Sequence, residues 1–327
     1  MLPQRIASMP KAELHVHLEG SVRPAIVVAL SGRHGAPLSE EEVRQRYNYA
    51  NFAGFIEAFK WVTSLLREPS DYALIAQDLA EQLLAQNVVY AEVTLSVGVM
   101  LLRKQQPEAN FQAILAATTP FRSRGLQLNW IFDAVRQFGP ESAMQVVEAA
   151  RRANHKSIVA FGIGGDELSI VTNEFRAAYD RAAEIGLHRL IHAGEIGGPD
   201  KIREAIEILG VERIGHGIAA IHDPALMDLL AARQIPLEVC PTSNLCTGAL
   251  ARQLSCANPS LQKHPLPKLL RHGIPVLLST DDPAMFHTTL LDEYSNAQSM
   301  GLTEEELARI VDLSFKYSFR SNVSVGL

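Results

Sequence analysis

Eight short apolar segments, several ending in a polar or glycine-rich cluster, restrict the fold of this chain more tightly than any other feature. They are ELHVHLEG (13–20), NVVYAEVTLSVG (87–98), LQLNWIFDAV (126–135), SIVAFGIGGDE (157–167), HRLIHAGE (188–195), RIGHG (213–217), PLEVCPTSN (236–244) and IPVLLSTDDP (274–283). Between most of them run stretches with helical periodicity: 71–86, 141–152, 173–186, 200–210 and 223–234. TEEELARIVDLSFKYS, near the end, reads as a further helix. Gly186 and Gly210 stand where helices stop, and Asn173 and Asp200 where N-caps belong. Strand and helix alternating in this way imply parallel strands joined by crossover helices. Eight such strands predict an α/β fold, a (β/α)8 TIM barrel. The other arrangement is an open doubly wound sheet. No G-x-G-x-x-G opens a helix after the first strand, which speaks against it.

The first crossover, between residues 20 and 87, is unusually long. Within residues 51–66, Phe52, Phe55, Phe59 and Val62 fall on roughly one helical face. Such a helix either faces the core or lies as a lid over the barrel mouth. No linker, low-complexity tract or internal repeat interrupts the chain. Residues 1–327 therefore read as a single domain, with extra helices between strands one and two.

Charge and cysteine usage exclude several functions. The net charge is −6 and basic residues are scattered, so neither a nucleic-acid nor a membrane-surface partner is expected. The cysteines, Cys240, Cys246 and Cys256, form no C-x-x-C pattern and suit a reducing compartment. The opening residues, MLPQRIASMPKAE, contain no apolar core of a signal peptide. No apolar run is long enough to span a bilayer, which takes about 18 residues or more. A cytoplasmic location is expected, with the oligomeric state left open.

Active sites of such barrels lie at the C-terminal ends of the strands. There the first strand offers His15, His17 and Glu19, and the fourth Gly162, Gly164, Gly165, Asp166 and Glu167. The fifth offers His192 and Glu195, the sixth His216, and the eighth Asp281 and Asp282. Residues i and i+2 of a strand share a face, so His15 and His17 point the same way. Singly, each of these residues has an ordinary structural explanation. Together they suggest a metal site, with His15, His17, His192 and Asp281 as ligands. Three imidazoles and a carboxylate suit zinc, which lowers the pKa of a bound water toward about 7. Many two-metal barrel hydrolases use a lysine from the fourth strand. This strand carries glycines, so one Zn2+ per chain is expected.

The ordered set HVHLEG, GGDE, HAGE, ERIGHG, CPTSN followed by TG, and STDDP resembles the adenosine and adenine deaminases of the amidohydrolase superfamily. The resemblance runs from residue 11 to about residue 287. It implies the (β/α)8 fold and hydrolytic replacement of a purine 6-amino group by oxygen. It also implies the four zinc ligands above, with Glu195 as the proton donor to purine N1. His216 would orient the attacking water and assist in removing its proton. Asp282, Gly165, Glu19 and His17 are the expected substrate contacts, with Asp282 on N7 and the Gly165 amide on N3.

The substrate expected first is adenosine, with 6-aminodeoxyfutalosine of menaquinone biosynthesis and then adenine as alternatives. Adenosine deaminases place an aspartate where Glu19 stands, near the ribose 5′-hydroxyl. AEVTLSVG lacks the arginine and proline usual in their second strand. Two rivals are a non-catalytic barrel, which predicts a lost ligand or a lost Glu195, and a two-metal hydrolase.

Overall fold

The computed structural model of the protein describes residues 2–49 and 52–319. Eight strands form where the apolar segments predict them: β1 (Lys11–His17), β2 (Val88–Leu95), β3 (Gln127–Val135), β4 (Ile158–Gly164), β5 (His188–Ala193), β6 (Arg213–His216), β7 (Leu237–Val239) and β8 (Val276–Leu278). They pair in chain order and every pair is parallel. The two ends of the sheet meet just beyond β8. There Val16 and Asp281 form a parallel bridge. The His17 N–H donates to Asp281 O at 2.8 Å, and the Asp281 N–H to His15 O at 2.9 Å. The result is a nearly closed eight-stranded barrel.

Helices cover the outer face of the strands, so both faces are buried and the strands read as near-continuous apolar runs. Every residue of β1 is buried, including Lys11, Glu13, His15 and His17, whose polar groups need partners inside the barrel. At the N-terminal end, Ile131, Ala160 and Leu190 close on Phe319. The Arg213 guanidinium lies 3.7 Å from the centre of the Phe319 ring. β7 is shorter than its apolar segment because Pro241 opens a helix, Pro241–Cys246.

The helices follow their periodicity, but two expected caps are displaced. Pro199 takes the first position of helix Pro199–Ile208, so Gly198 is the N-cap. Asp200 falls in the first turn, where its charge still favours the dipole. Asn173 lies inside a 3-10 turn, Thr172–Phe175, ahead of helix Arg176–Glu184. Gly186 and Gly210 do terminate helices, with φ of 80° and 60°.

The helix expected within 51–66 runs from Phe52 to Leu65; residue 51 lies outside the described residues. Phe55, Ala58, Val62 and Leu65 form its buried face. The Phe55 ring sits 4.9 Å from that of Phe286, just past the end of β8. One helix therefore packs against the core and covers the mouth of the barrel. Among the described residues, no helix is long and apolar enough to cross a membrane.

Candidate active site and metal centre

The barrel brings His15 and His17 of β1, His192 of β5 and Asp281 together at the C-terminal ends of the strands. Each offers one ligand atom, and the four atoms lie within 4.8 Å of one another. His17 Nε2 is 3.2 Å and His15 Nε2 3.4 Å from Asp281 Oδ1, and the Nε2 atoms of His17 and His192 are 3.4 Å apart. His15 Nε2 is buried with no hydrogen-bond partner. A buried orphan nitrogen is costly unless something binds it.

The far side of each of three ligands is fixed. His15 Nδ1 meets Glu238 Oε2 at 2.7 Å, His192 Nδ1 meets Ile163 O at 3.3 Å, and Ser243 Oγ donates to Asp281 Oδ2 at 2.6 Å. A carboxylate or carbonyl on one imidazole nitrogen leaves the other with a free lone pair, the usual outer shell of a metal-bound histidine. The donor set and the orphan nitrogen fit a zinc ion.

Glu238 was not singled out in the sequence. Its signal is a carboxylate pointing inward from an otherwise apolar strand. It is also 2.6 Å from Arg213 Nε, whose Nη2 is 2.6 Å from Glu92. The charge facing His15 is thus held by a buried ladder.

Local backbone demands are met at the same place. His216 and Asp281 have φ of 61° and 65°, a left-handed conformation that costs energy in residues other than glycine. A Cβ on Gly20 would fall 1.7 Å from Asp282 Oδ1, so only glycine lets that carboxylate approach. Asp282 Oδ1 is itself buried and unpartnered. Gly165, with φ of 95°, turns the chain at the end of β4, where a Cβ would meet Gln137 Oε1 at 2.5 Å.

Glu195 lies on the turn after β5. Burial, followed by the negative charges of Asp281 and Glu167, pushes its pKa up to about 8. Thr247 Oγ1 donates to Glu195 Oε1 at 3.3 Å. Glu167, just past the end of β4, accepts the N–H groups of Gly194, Glu195, Ile196 and Gly197 at 2.5–3.2 Å. It clamps the turn that carries Glu195.

His216 Nε2 is 3.7 Å from Glu195 Oε2, and burial pushes its pKa down to about 4. Behind it stand Asn244 and His264, neither of which had an assigned role. Glu19 is 1% exposed, and its carboxylate accepts the Ser96 N–H at 3.1 Å. It thereby anchors the turn after β2.

The adenosine deaminase family model matches residues 10–324. An aminodeoxyfutalosine deaminase from Streptomyces coelicolor is 38% identical over 321 residues, which cover 96% of this chain and 81% of the relative. The crystal structure of an adenine deaminase from Arthrobacter aurescens superposes with a TM-score of 0.87 at 30% identity, covering 96% of this chain and 94% of that one. An amidohydrolase from Burkholderia ambifaria with bound zinc gives 0.86 at 25% identity, covering 97% and 87%. The match over nearly the whole barrel, together with the geometry at its mouth, shows that the chain belongs to the adenosine deaminase family, hydrolytic deaminases acting on C–N bonds.

Proposed function

We propose that the protein is a zinc-dependent deaminase of a 6-aminopurine nucleoside modified at its 5′ position, 6-aminodeoxyfutalosine being the best supported substrate. The observation that carries this reading is the cluster of His15, His17, His192 and Asp281, with Glu195 beside it and disposed to hold a proton. In this reading those four residues hold one ion per chain, which supplies Lewis acidity toward the attacking water. Attack at C6 drives electron density onto N1, so N1 needs an acid. Glu195, neutral up to about pH 8, holds the proton for it. Purine N7 is an acceptor, so Asp282 engages it in its protonated form through the unpartnered Oδ1. The Gly165 N–H serves N3, and His17 borders the substrate.

The choice of nucleoside turns on Glu19. Reading a 5′-hydroxyl would require its carboxylate to face the substrate, whereas both its oxygens are buried against the Ser96 amide. That weakens adenosine, and the 38% identical aminodeoxyfutalosine deaminase supports a substrate extended at the 5′ end. Adenine is the second reading, favoured by the adenine deaminase of matching fold. A place in menaquinone biosynthesis, a single domain over residues 1–327 and a cytoplasmic location, consistent with three free thiols, go with the first reading.

Ammonia release from zinc-loaded protein, with adenosine, adenine, 5′-methylthioadenosine and 6-aminodeoxyfutalosine side by side, tests it. Preference for the 5′-modified nucleosides is the expected result. Preference for adenine would select the second reading, and no release from any of the four would overturn both.

A further inference from the structure

The proton on His216 can be placed without reference to any titration. The backbone N–H of Leu266 is a group of fixed polarity, which can only donate. It donates to His264 Nδ1 at 3.1 Å, so Nδ1 is bare and His264 carries its proton on Nε2. His264 Nε2 lies 3.2 Å from Asn244 Oδ1, an acceptor. The Asn244 amide is thereby oriented, because reversing it would set an NH2 group against an N–H. Its Nδ2 donates to His216 Nδ1 at 3.0 Å. His216 Nδ1 is therefore bare, and the ring is neutral with its proton on Nε2. Nε2 points into the site, with Glu195 Oε2 at 3.7 Å and Asp281 Oδ2 at 3.9 Å. All three side chains of the relay are buried.

We infer that His264 and Asn244 are positioning residues that lock His216 as a hydrogen-bond donor into the active site, so that it orients the oxygen attacking C6 and takes no proton from it. The tautomer stands on the geometry alone; its role in catalysis rests on the deaminase reading. The proton traffic then falls to Glu195. It gives its proton to N1 and, as a carboxylate, accepts one from the attacking water. It passes that proton to the amino nitrogen, which leaves as ammonia, and takes the second water proton as the C6–O double bond forms. The oxygen ends on C6, N1 keeps its proton, and Glu195 is protonated again.

The test is a long-range proton–nitrogen NMR spectrum of the zinc-loaded, histidine-labelled protein, which shows which ring nitrogen is protonated and needs no substrate. His216 and His264 should both be protonated on Nε2 and bare on Nδ1. A His216 ring protonated on Nδ1 would overturn the inference. Asn244→Asp replaces the donor by an acceptor of the same shape, so it should move the His216 proton to Nδ1. It should lower kcat by about 100-fold or more with little change in KM, since a catalytic imidazole held in the wrong tautomer is severely impaired. Unchanged kcat alongside a moved proton would remove the catalytic role. His264→Ala frees the Asn244 amide and should give a mixture of His216 tautomers; a single Nε2–H form there would overturn the relay. A protein inactive on every purine but with the expected spectrum would count against the deaminase reading and leave the tautomer standing.

Discussion

At the residue scale, the site separates a cluster able to hold a metal from groups able to hold protons, and the partners of each decide which it can do. Glu195 sits in a largely buried turn near Asp281 and Glu167, which pushes its pKa up to about 8. In the proposed mechanism the acid form works, so kcat/KM should fall as pH rises through about 8. Glu195→Gln should lower kcat by about 10²–10⁴-fold and keep zinc, as metal analysis of the purified variant would check. Glu238 acts at one remove, through His15. Glu238→Gln should weaken zinc binding by about 10- to 100-fold in a chelator competition. Equal affinity would show that the 2.7 Å contact does not set the basicity of His15.

At the element scale, the strands were legible because parallel barrel strands are buried on both faces and write their apolar runs openly. The strand-end motifs were legible because alternation places His15 and His17 on one side. Asn244 and His264 were not, because a polar relay behind a buried histidine leaves no periodic trace. Glu238 was hidden within an apolar segment. The Asp200 cap was misplaced because a proline one residue earlier takes the first helical position.

Phe55 ties helix Phe52–Leu65 to Phe286 at the mouth. Phe55→Ala should cost about 3 kcal/mol, read from urea unfolding, and raise KM by loosening the cover. Glu293 joins helix Leu290–Ser299 to Thr288 and to the Thr242 amide, and burial raises its pKa from 4.5 to about 7. Its folded form holds the proton more tightly than its unfolded form. Its contribution is therefore complete below about pH 4.5 and lost as pH rises through 7, a loss of about 3 kcal/mol. Glu293→Gln should be flatter than the parent over that window. Parallel stability profiles for the two proteins would refute this.

At the scale of the whole molecule, the barrel closes through a residue of the candidate metal cluster. Asp281 bridges β1 by its backbone and faces His15 and His17 by its side chain. Metal binding and barrel closure should therefore be coupled, and removing zinc with a chelator should lower the thermal midpoint. The central claim is that four side chains hold a single ion and that activity depends on it. Titrating the metal-free protein with zinc while measuring deamination of 6-aminodeoxyfutalosine tests this most directly. Activity should rise linearly and break sharply at one equivalent per chain. Activity independent of zinc, or a break at two equivalents, would contradict it.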